Sequence, residues 1–264
     1  MNELVIYKSL QGEPYLCYKI EVIFSNIKAY CYYISAINGE IIYKKSLVRN
    51  FTPQIGVADL HNWGRQIIFT SQNSANNKYI LFDQIANIQT FNANGITTLN
   101  TAQDFIDSDN NWTLSEFPET YSYSLNAALV CHWGARKSYD FFFTTFNREG
   151  FNNNNKKLNI YVNHTAGFDG ANAMWDKLNS SILIGSGNAN KHHFGVVDVV
   201  AHEFGHAVTD YMVEQLDYVG ESGAIDEGGA DIWAACVEHY LGASIFEVWI
   251  HGDHKGQNER NLRN

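Results

Sequence analysis

The segment His202-Glu203-Phe204-Gly205-His206 constrains this chain more than any other feature. Two imidazoles four residues apart meet one metal ion when the backbone between them is α-helical, because that spacing puts both on one face. The flanks, Val197-Asp198-Val199-Val200-Ala201 and Ala207-Val208-Thr209-Asp210-Tyr211, contain no proline and no strand-like alternation, so a continuous buried helix is predicted. Glu203 then sits beside the metal but off the ligand pair, where it can take a proton from water as a general base. Composition alone yields about 0.02 occurrences of His-Glu-x-x-His in such a chain. The pattern therefore favours metal chemistry over a helix with two satisfied core histidines.

A catalytic zinc site takes three protein ligands and keeps a position open for water. Glu227 is the candidate third ligand, in Glu221-Ser222-Gly223-Ala224-Ile225-Asp226-Glu227-Gly228-Gly229-Ala230-Asp231. Asp231 follows it by one helical turn on the same face. It is suited to accept the outer N–H of a ligating imidazole, which fixes the ring and raises its basicity. The competing reading of this segment alone is an acidic, solvated helix face.

These two stretches, 198–211 and 221–240, resemble the thermolysin-like neutral metalloproteases, the bacillolysins. The resemblance implies an α+β fold of the zincin type. A mixed-sheet N-terminal lobe would end in the zinc helix, the start of a helical C-terminal lobe would follow, and a small β-rich pro-region would precede both. It implies a zinc endopeptidase in which His202, His206 and Glu227 hold the ion, Glu203 is the base and Asp231 orients a ligand. Asn172-Ala173-Met174-Trp175 is similar to the family's edge-strand element, so Asn172 and Ala173 become substrate-binding candidates, because extended peptides bind by adding a strand. Tyr218 matches a tyrosine that hydrogen-bonds the oxyanion, although the stretch from His206 to Tyr218 is one residue longer than the usual pattern. Arg263 matches an arginine that contacts substrate carbonyl oxygen, with disorder near the end of the chain as the alternative. Asp198, Glu238 and Asp253 match carboxylates that bind calcium, with ordinary surface acidity as the alternative.

The first part of the chain reads differently. Residues 16–24 alternate, with Tyr18, Ile20, Val22 and Phe24 on one face, and 29–34 form a second β-branched and aromatic run. Asn38-Gly39 is a strong hairpin turn because both residues tolerate positive φ, with Ile41-Ile42-Tyr43 returning. The segment 33–41 resembles the closing hairpin of a bacillolysin propeptide. Phe51-Thr52-Pro53-Gln54-Ile55-Gly56 reads as an exposed connection where processing would occur. The expected domains are a pro-region over 1–55, a catalytic lobe over 56–210 and the opening of a helical lobe over 211–264. Strands are expected at 66–69, 79–82 and 158–162. Leu125, Ala128, Leu129, Trp133, Phe142, Phe143 and Phe146 follow helical spacing and read as core, with His132 a satisfied buried histidine among them.

Composition excludes other classes. The formal charge of −10 with 18 basic residues argues against a phosphate-backbone ligand. No apolar run reaches membrane-spanning length. Cys17, Cys31, Cys131 and Cys236 show no Cys-x-x-Cys spacing, so neither a zinc knuckle nor a thioredoxin-like motif is supported. The expected partners are peptide or protein substrates and the chain's own pro-region. Secretion is implied by the resemblance alone, since Met1-Asn2-Glu3-Leu4 carries no signal-peptide pattern. Family members continue beyond the segment that ends here at Asn264, so a truncated precursor, weak or inactive by itself, is expected. Two other classes stay open: a metal-stabilised peptide binder without catalysis, and a pro-region acting as chaperone or inhibitor.

Overall fold

The computed structural model describes residues 3–9, 12–25, 28–46, 51–95, 99–116, 119–165, 172–187, 193–213, 216–252 and 260–262. It divides into two compact units, Met1–Phe51 and Thr52–Asn264.

The first unit is a four-stranded antiparallel sheet of β1 (Glu3–Lys8), β2 (Pro14–Ser25), β3 (Lys28–Ser35) and β4 (Ile41–Ser46), paired in chain order. Cross-strand partners share a face. Lys19 opposite Tyr33 and Tyr33 opposite Tyr43 therefore place one aromatic cluster. In it the rings of Tyr7 and Tyr43 stack 5.3 Å apart. Cys17 and Cys31 are buried on this same face. The aliphatic face read from the alternation at 16–24 is the more open one, with Leu16 and Tyr18 exposed beside Leu4 and Ile6. The expected hairpin joins β3 to β4, with a loop wider than the Asn38-Gly39 pair. Ser35 N–H donates to the Glu40 carbonyl (2.7 Å) and Gly39 N–H to the Ser35 carbonyl (3.0 Å), closing a wider loop over 36–39. Gly39 takes φ of 75° and Asn38 does not join it. The Asn38 side chain accepts the Glu40 N–H (3.2 Å) instead, which stabilises the longer turn.

The second unit holds two larger sheets, a two-stranded ribbon of Ile250–His251 and Arg260–Asn261, and the helices α1 (Glu119–Phe146), α2 (Val197–Met212) and α3 (Gly220–Tyr240). One sheet is built on Phe51–Leu60 and Gly64–Asn73. The segment read as an exposed connection at 51–56 is thus the start of a strand. Pro53 is tolerated because this end of the strand is open, and Gly56 is needed because a Cβ there would stand 2.9 Å from the Asn110 carbonyl oxygen. The other sheet is mixed. Leu158–His164 runs parallel to both Ile88–Asn92 and Ser181–Gly185, and Ala173–Asp176 closes one edge antiparallel. Nine of the ten described non-glycine residues with positive φ are asparagines. Short strands joined by tight loops need left-handed residues, which Asn adopts more readily than other side chains.

Helix α1 is enclosed on all sides over 126–135. Ala128, Leu129, Trp133 and Phe142 are core as expected, whereas Phe143 and Phe146 are 42% and 54% exposed at the helix end, where Phe146 meets α3 edge-on through Trp233 (5.8 Å). The side chain of Leu125 lies outside the described residues. His132 is 1% exposed. Its Nε2 is 2.7 Å from the Phe69 carbonyl and its Nδ1 3.0 Å from Thr90 Oγ1. The carbonyl can only accept, so Nε2 carries the proton and Nδ1 accepts from the hydroxyl. Burial lowers the affinity of this imidazole for a second proton.

One buried charge ties α1 to the mixed sheet. Arg136 lies 2.7 Å from Asp83 and 2.7 Å from Asp140, with its guanidinium 4.1 Å from the Phe69 ring centre. The Asp83 side chain is 1% exposed and also accepts the N–H groups of Ile85 and Ala86. Arg136→Ala leaves that carboxylate without its cation and is expected to lower the unfolding free energy by about 3 kcal/mol in urea titration. Adding Asp83→Asn should recover much of the loss. A single-variant loss below about 0.5 kcal/mol would mean the pair does not hold the helix in place.

Candidate metal centre

Helix α2 forms where the sequence places Val197, Val200, Ala201, Phe204, Ala207 and Val208 at helical spacing, all of them buried. Asp198 lies in its first turn, where a carboxylate complements the helix dipole. The face carrying His202 and His206 packs on α3. The approach is close: a Cβ on Gly205 would lie 3.0 Å from Ala230 Cα and 3.2 Å from Trp233 Cδ1. Glycine at 205 therefore brings the second helix near enough for its carboxylates to reach the imidazoles of the first.

Three ligand atoms converge. His202 Nε2 and His206 Nε2 are 3.0 Å apart. Glu227 Oε2 stands 3.4 Å from the first and Oε1 3.5 Å from the second. A tetrahedral zinc ion with bonds of about 2.0–2.2 Å spaces its donors about 3.3–3.5 Å apart, so both carboxylate–imidazole separations match that ion and the imidazole pair would open slightly to receive it. Among the described residues no other group of three His, Cys, Asp or Glu brings its ligand atoms within 4.8 Å of one another. Outside this cluster, His202 Nδ1 lies 2.8 Å from Asp231 Oδ1 and His206 Nδ1 lies 3.1 Å from Asp226 Oδ2. The Tyr218 hydroxyl donates to Glu227 Oε1 in a short contact.

The electrostatics follow from burial and pairing. Burial opposes a charge on His202, but Asp231, Glu227 and Glu203 outweigh it and push the imidazole up to about 9. The bond with His202 holds the Glu227 carboxyl down at about 2, against a smaller opposing effect of burial. Glu203 is buried, and that burial raises its pKa. The two imidazoles and the Trp175 N–H, which donates to its carboxylate, pull the other way.

The remaining candidates are placed as follows. Ala173 is buried opposite Ile184 on the edge strand Ala173–Asp176, and the preceding Asn172 accepts the Gly185 N–H through its carbonyl (2.8 Å). Asp198 and Glu238 are 0% and 3% exposed. Asp198 accepts the N–H groups of Val199 and Gly252. Asp253 and Arg263 lie outside the described residues. Sequence reasoning missed Asp226, whose only signal was a carboxylate next to the expected ligand. It also missed Asp210, whose carboxylate bonds the Trp175 indole (2.5 Å) and Lys177 (2.9 Å). Nothing local in the sequence joins Asp210 to a strand so far away in the chain.

Comparison with known proteins gives the family of the chain. Residues 58–210 match the family model for the thermolysin metallopeptidase catalytic domain, and 214–264 match that for its alpha-helical domain. A bacillolysin of Brevibacillus brevis is 31% identical over 252 residues, covering 92% of this chain and 44% of that protein. The thermostable neutral protease NprT of Geobacillus stearothermophilus is 29% identical over 274 residues, covering 96% and 48%. The chain thus spans about half the length of the curated relatives it matches. Among solved structures, the precursor of protealysin, a metalloproteinase from Serratia proteamaculans, aligns with a TM-score of 0.46 and 21% identity over 58% of this chain and 44% of that one.

Two outcomes are expected. Zinc must displace the proton held by His202, so apparent zinc affinity should rise about tenfold per pH unit from about pH 7 and flatten above about 9. Calorimetry in buffers of different ionisation enthalpy reads the released proton, and an affinity independent of pH in that window would contradict the assignment. Gly205→Ala forces α3 away from α2 and is expected to lower stability by about 1–3 kcal/mol. It should also weaken zinc binding about tenfold by withdrawing Glu227 and its neighbours. An unchanged affinity would show that the helix contact does not set the ligand geometry.

Proposed function

Because this chain belongs to the thermolysin metallopeptidase family, we propose that it works as a zinc-dependent endopeptidase with the cluster on α2 and α3 as its catalytic centre. The observation that carries this reading is the convergence of His202 Nε2, His206 Nε2 and Glu227 around one point, with Glu203 on the helix between the two histidines. Zinc held there would supply Lewis acidity towards a peptide carbonyl and make water a stronger acid.

The protein's own groups do the rest. Glu203 takes the proton of the attacking water and passes it to the departing amine. Its burial favours the neutral acid and so makes the carboxylate a stronger base than an exposed glutamate. The Trp175 N–H holds that carboxylate from the side of the edge strand. Asn172 and Ala173 lie at the start of this strand, whose outer edge faces no other strand among the described residues and can pair with an extended peptide. Tyr218, in contact with Glu227 at the same centre, is the proposed donor to the developing oxyanion. Asp231 steadies His202. Arg263 remains a substrate contact proposed from the sequence resemblance.

The same reading assigns 1–55 to a pro-region, 56–210 to the catalytic lobe and 211–264 to the helical lobe. It is supported by the separate compact unit at Met1–Phe51 and by family matches that begin at 58 and change over between 210 and 214. Secretion and a role for the pro-region as a partner go with it. Calcium at Asp198, Glu238 and Asp253 is supported by the burial of the first two carboxylates, which favours a nearby cation.

Zinc-loaded protein should cleave an internally quenched peptide, and Glu203→Gln should retain the metal while losing about two to four orders of magnitude in rate. Cleavage by Glu203→Gln at the parent rate would remove Glu203 as the base, and a zinc-loaded parent that binds peptide without cleaving it would favour the alternative of a metal-stabilised peptide binder.

A further inference from the structure

We infer that Phe151, in the asparagine-rich loop 147–157, is a positioning residue for substrate: its ring is the spacer between the edge strand Ala173–Asp176 and helix α2, and it sets how far a peptide on that strand lies from the helix that carries Glu203. The inference rests on the reading of that strand as the peptide-receiving edge, and it names a residue that supports the strand from outside the metal cluster.

The loop owes its shape to its composition. Asn147, Gly150, Asn153 and Asn155 all take positive φ, between 46° and 68°. Asparagine and glycine reach that conformation at the least cost. The chain therefore coils back on itself, and the Asn155 N–H donates to the Glu149 carbonyl across the turn (2.9 Å). Three side chains anchor the coil. Arg148 Nη2 donates to the Phe151 carbonyl (2.6 Å), Asn155 Nδ2 to the Ile85 carbonyl (2.9 Å), and Lys156 Nζ to the Tyr211 hydroxyl at the end of α2 (2.6 Å). A tract of asparagines belongs in solvent, yet Phe151 in their midst is 1% exposed. A ring buried so fully from a polar loop is gripped by its neighbours. Those neighbours lie on two elements. Trp175 of the edge strand meets the ring at 5.3 Å with the planes at 62°, while Tyr211 and Phe204 of α2 meet it at 5.2 and 6.5 Å, at 71° and 90°. All three are edge-to-face arrangements, whose separations follow from the size of the rings. Hydrogen bonds from Trp175 to Asp210 and Glu203 draw the strand towards the helix, and the Phe151 ring supplies the contact that stops it. A tie and a spacer together fix a distance, and neither does so by itself.

The test is binding of an extended peptide carrying one fluorophore to the zinc-loaded full chain with Glu203→Gln, read by fluorescence anisotropy. Adding Phe151→Leu is expected to weaken peptide binding about tenfold, because the strand can then tilt, while zinc affinity stays within about twofold of the reference. Phe105→Leu is the control for lost stability. It makes the same change at a ring that is 0% exposed and follows Gln103–Asp104 at the opposite edge of the mixed sheet, and it should leave peptide affinity unchanged. If Phe151→Leu does not fold, Phe151→Met, which keeps more of the side chain's length but no flat ring, is read in its place. Peptide affinity within about twofold of the reference for the Phe151 variant overturns this inference alone, as does an equal loss in Phe105→Leu or a parallel loss of zinc. A reference chain that holds zinc but binds no peptide overturns it together with the reading of the strand.

Discussion

The contact on which the site depends is the one between α2 and α3 at Gly205. Two helices with ordinary side chains at their crossing lie about 8–10 Å apart, and the missing Cβ at this position lets Ala230 and Trp233 of α3 settle against the α2 backbone. The residues three and four before Ala230, Glu227 and Asp226, are thereby carried to the imidazoles, and the residue after it, Asp231, reaches the other side of His202. The rest of the unit holds α2 still. Phe204 stacks on Phe142 of α1 at 5.6 Å, and Phe142 in turn meets Trp233 at 5.0 Å, so all three helices share one aromatic seam directly behind the metal-facing side.

That arrangement gathers four carboxylates, Glu203, Asp226, Glu227 and Asp231, around two imidazoles. Without a compensating positive charge such a cluster is unfavourable in a buried setting. In the metal-free chain a proton on His202 provides part of the compensation, which is why that imidazole is pushed up to about 9. A folded-state pKa above the ordinary value of 6.5 stabilises the fold fully below 6.5, and the contribution is lost as pH rises through about 9. A divalent ion would take over this role with more charge, and it would do so most effectively where the proton is leaving. The metal and the fold are therefore coupled through the same residues.

How much of this could be read in advance depended on how local each feature is. His202, Glu203 and His206 were legible because a single helix places them, and Glu227 with Asp231 because one turn of another does. The mixed sheet was legible in outline from the strand at 158–162. Features set by contacts between distant segments were not. Pro53 and Gly56 look like a linker until Asn110 is seen lying against Gly56. Phe143 and Phe146 continue the helical spacing of the core, and only the end of the packing around α1 exposes them. The loop of the β3–β4 hairpin is longer than Asn38-Gly39 suggests because Ser35 and Glu40, not the two turn residues, close it. Asp226 is indistinguishable from a solvated acid until the crossing of two helices is known.

The same reasoning applies to the edge strand proposed to receive substrate. Ala173–Asp176 is joined to α2 at two points: the Trp175 N–H meets Glu203 near the middle of the helix, and the Trp175 indole with Lys177 meets Asp210 near its end. Two attachments to one rigid rod fix both position and tilt, which a single attachment would not. A peptide paired with that strand would find the base at a distance set by the helix and independent of loop motion, and holding reacting groups in register in this way is a large part of what an active site contributes to rate. Trp175 belongs at once to the strand and to the surroundings of the base. Losing Asp210 would thus disturb substrate alignment while leaving every ligand on α2 and α3 where it stands.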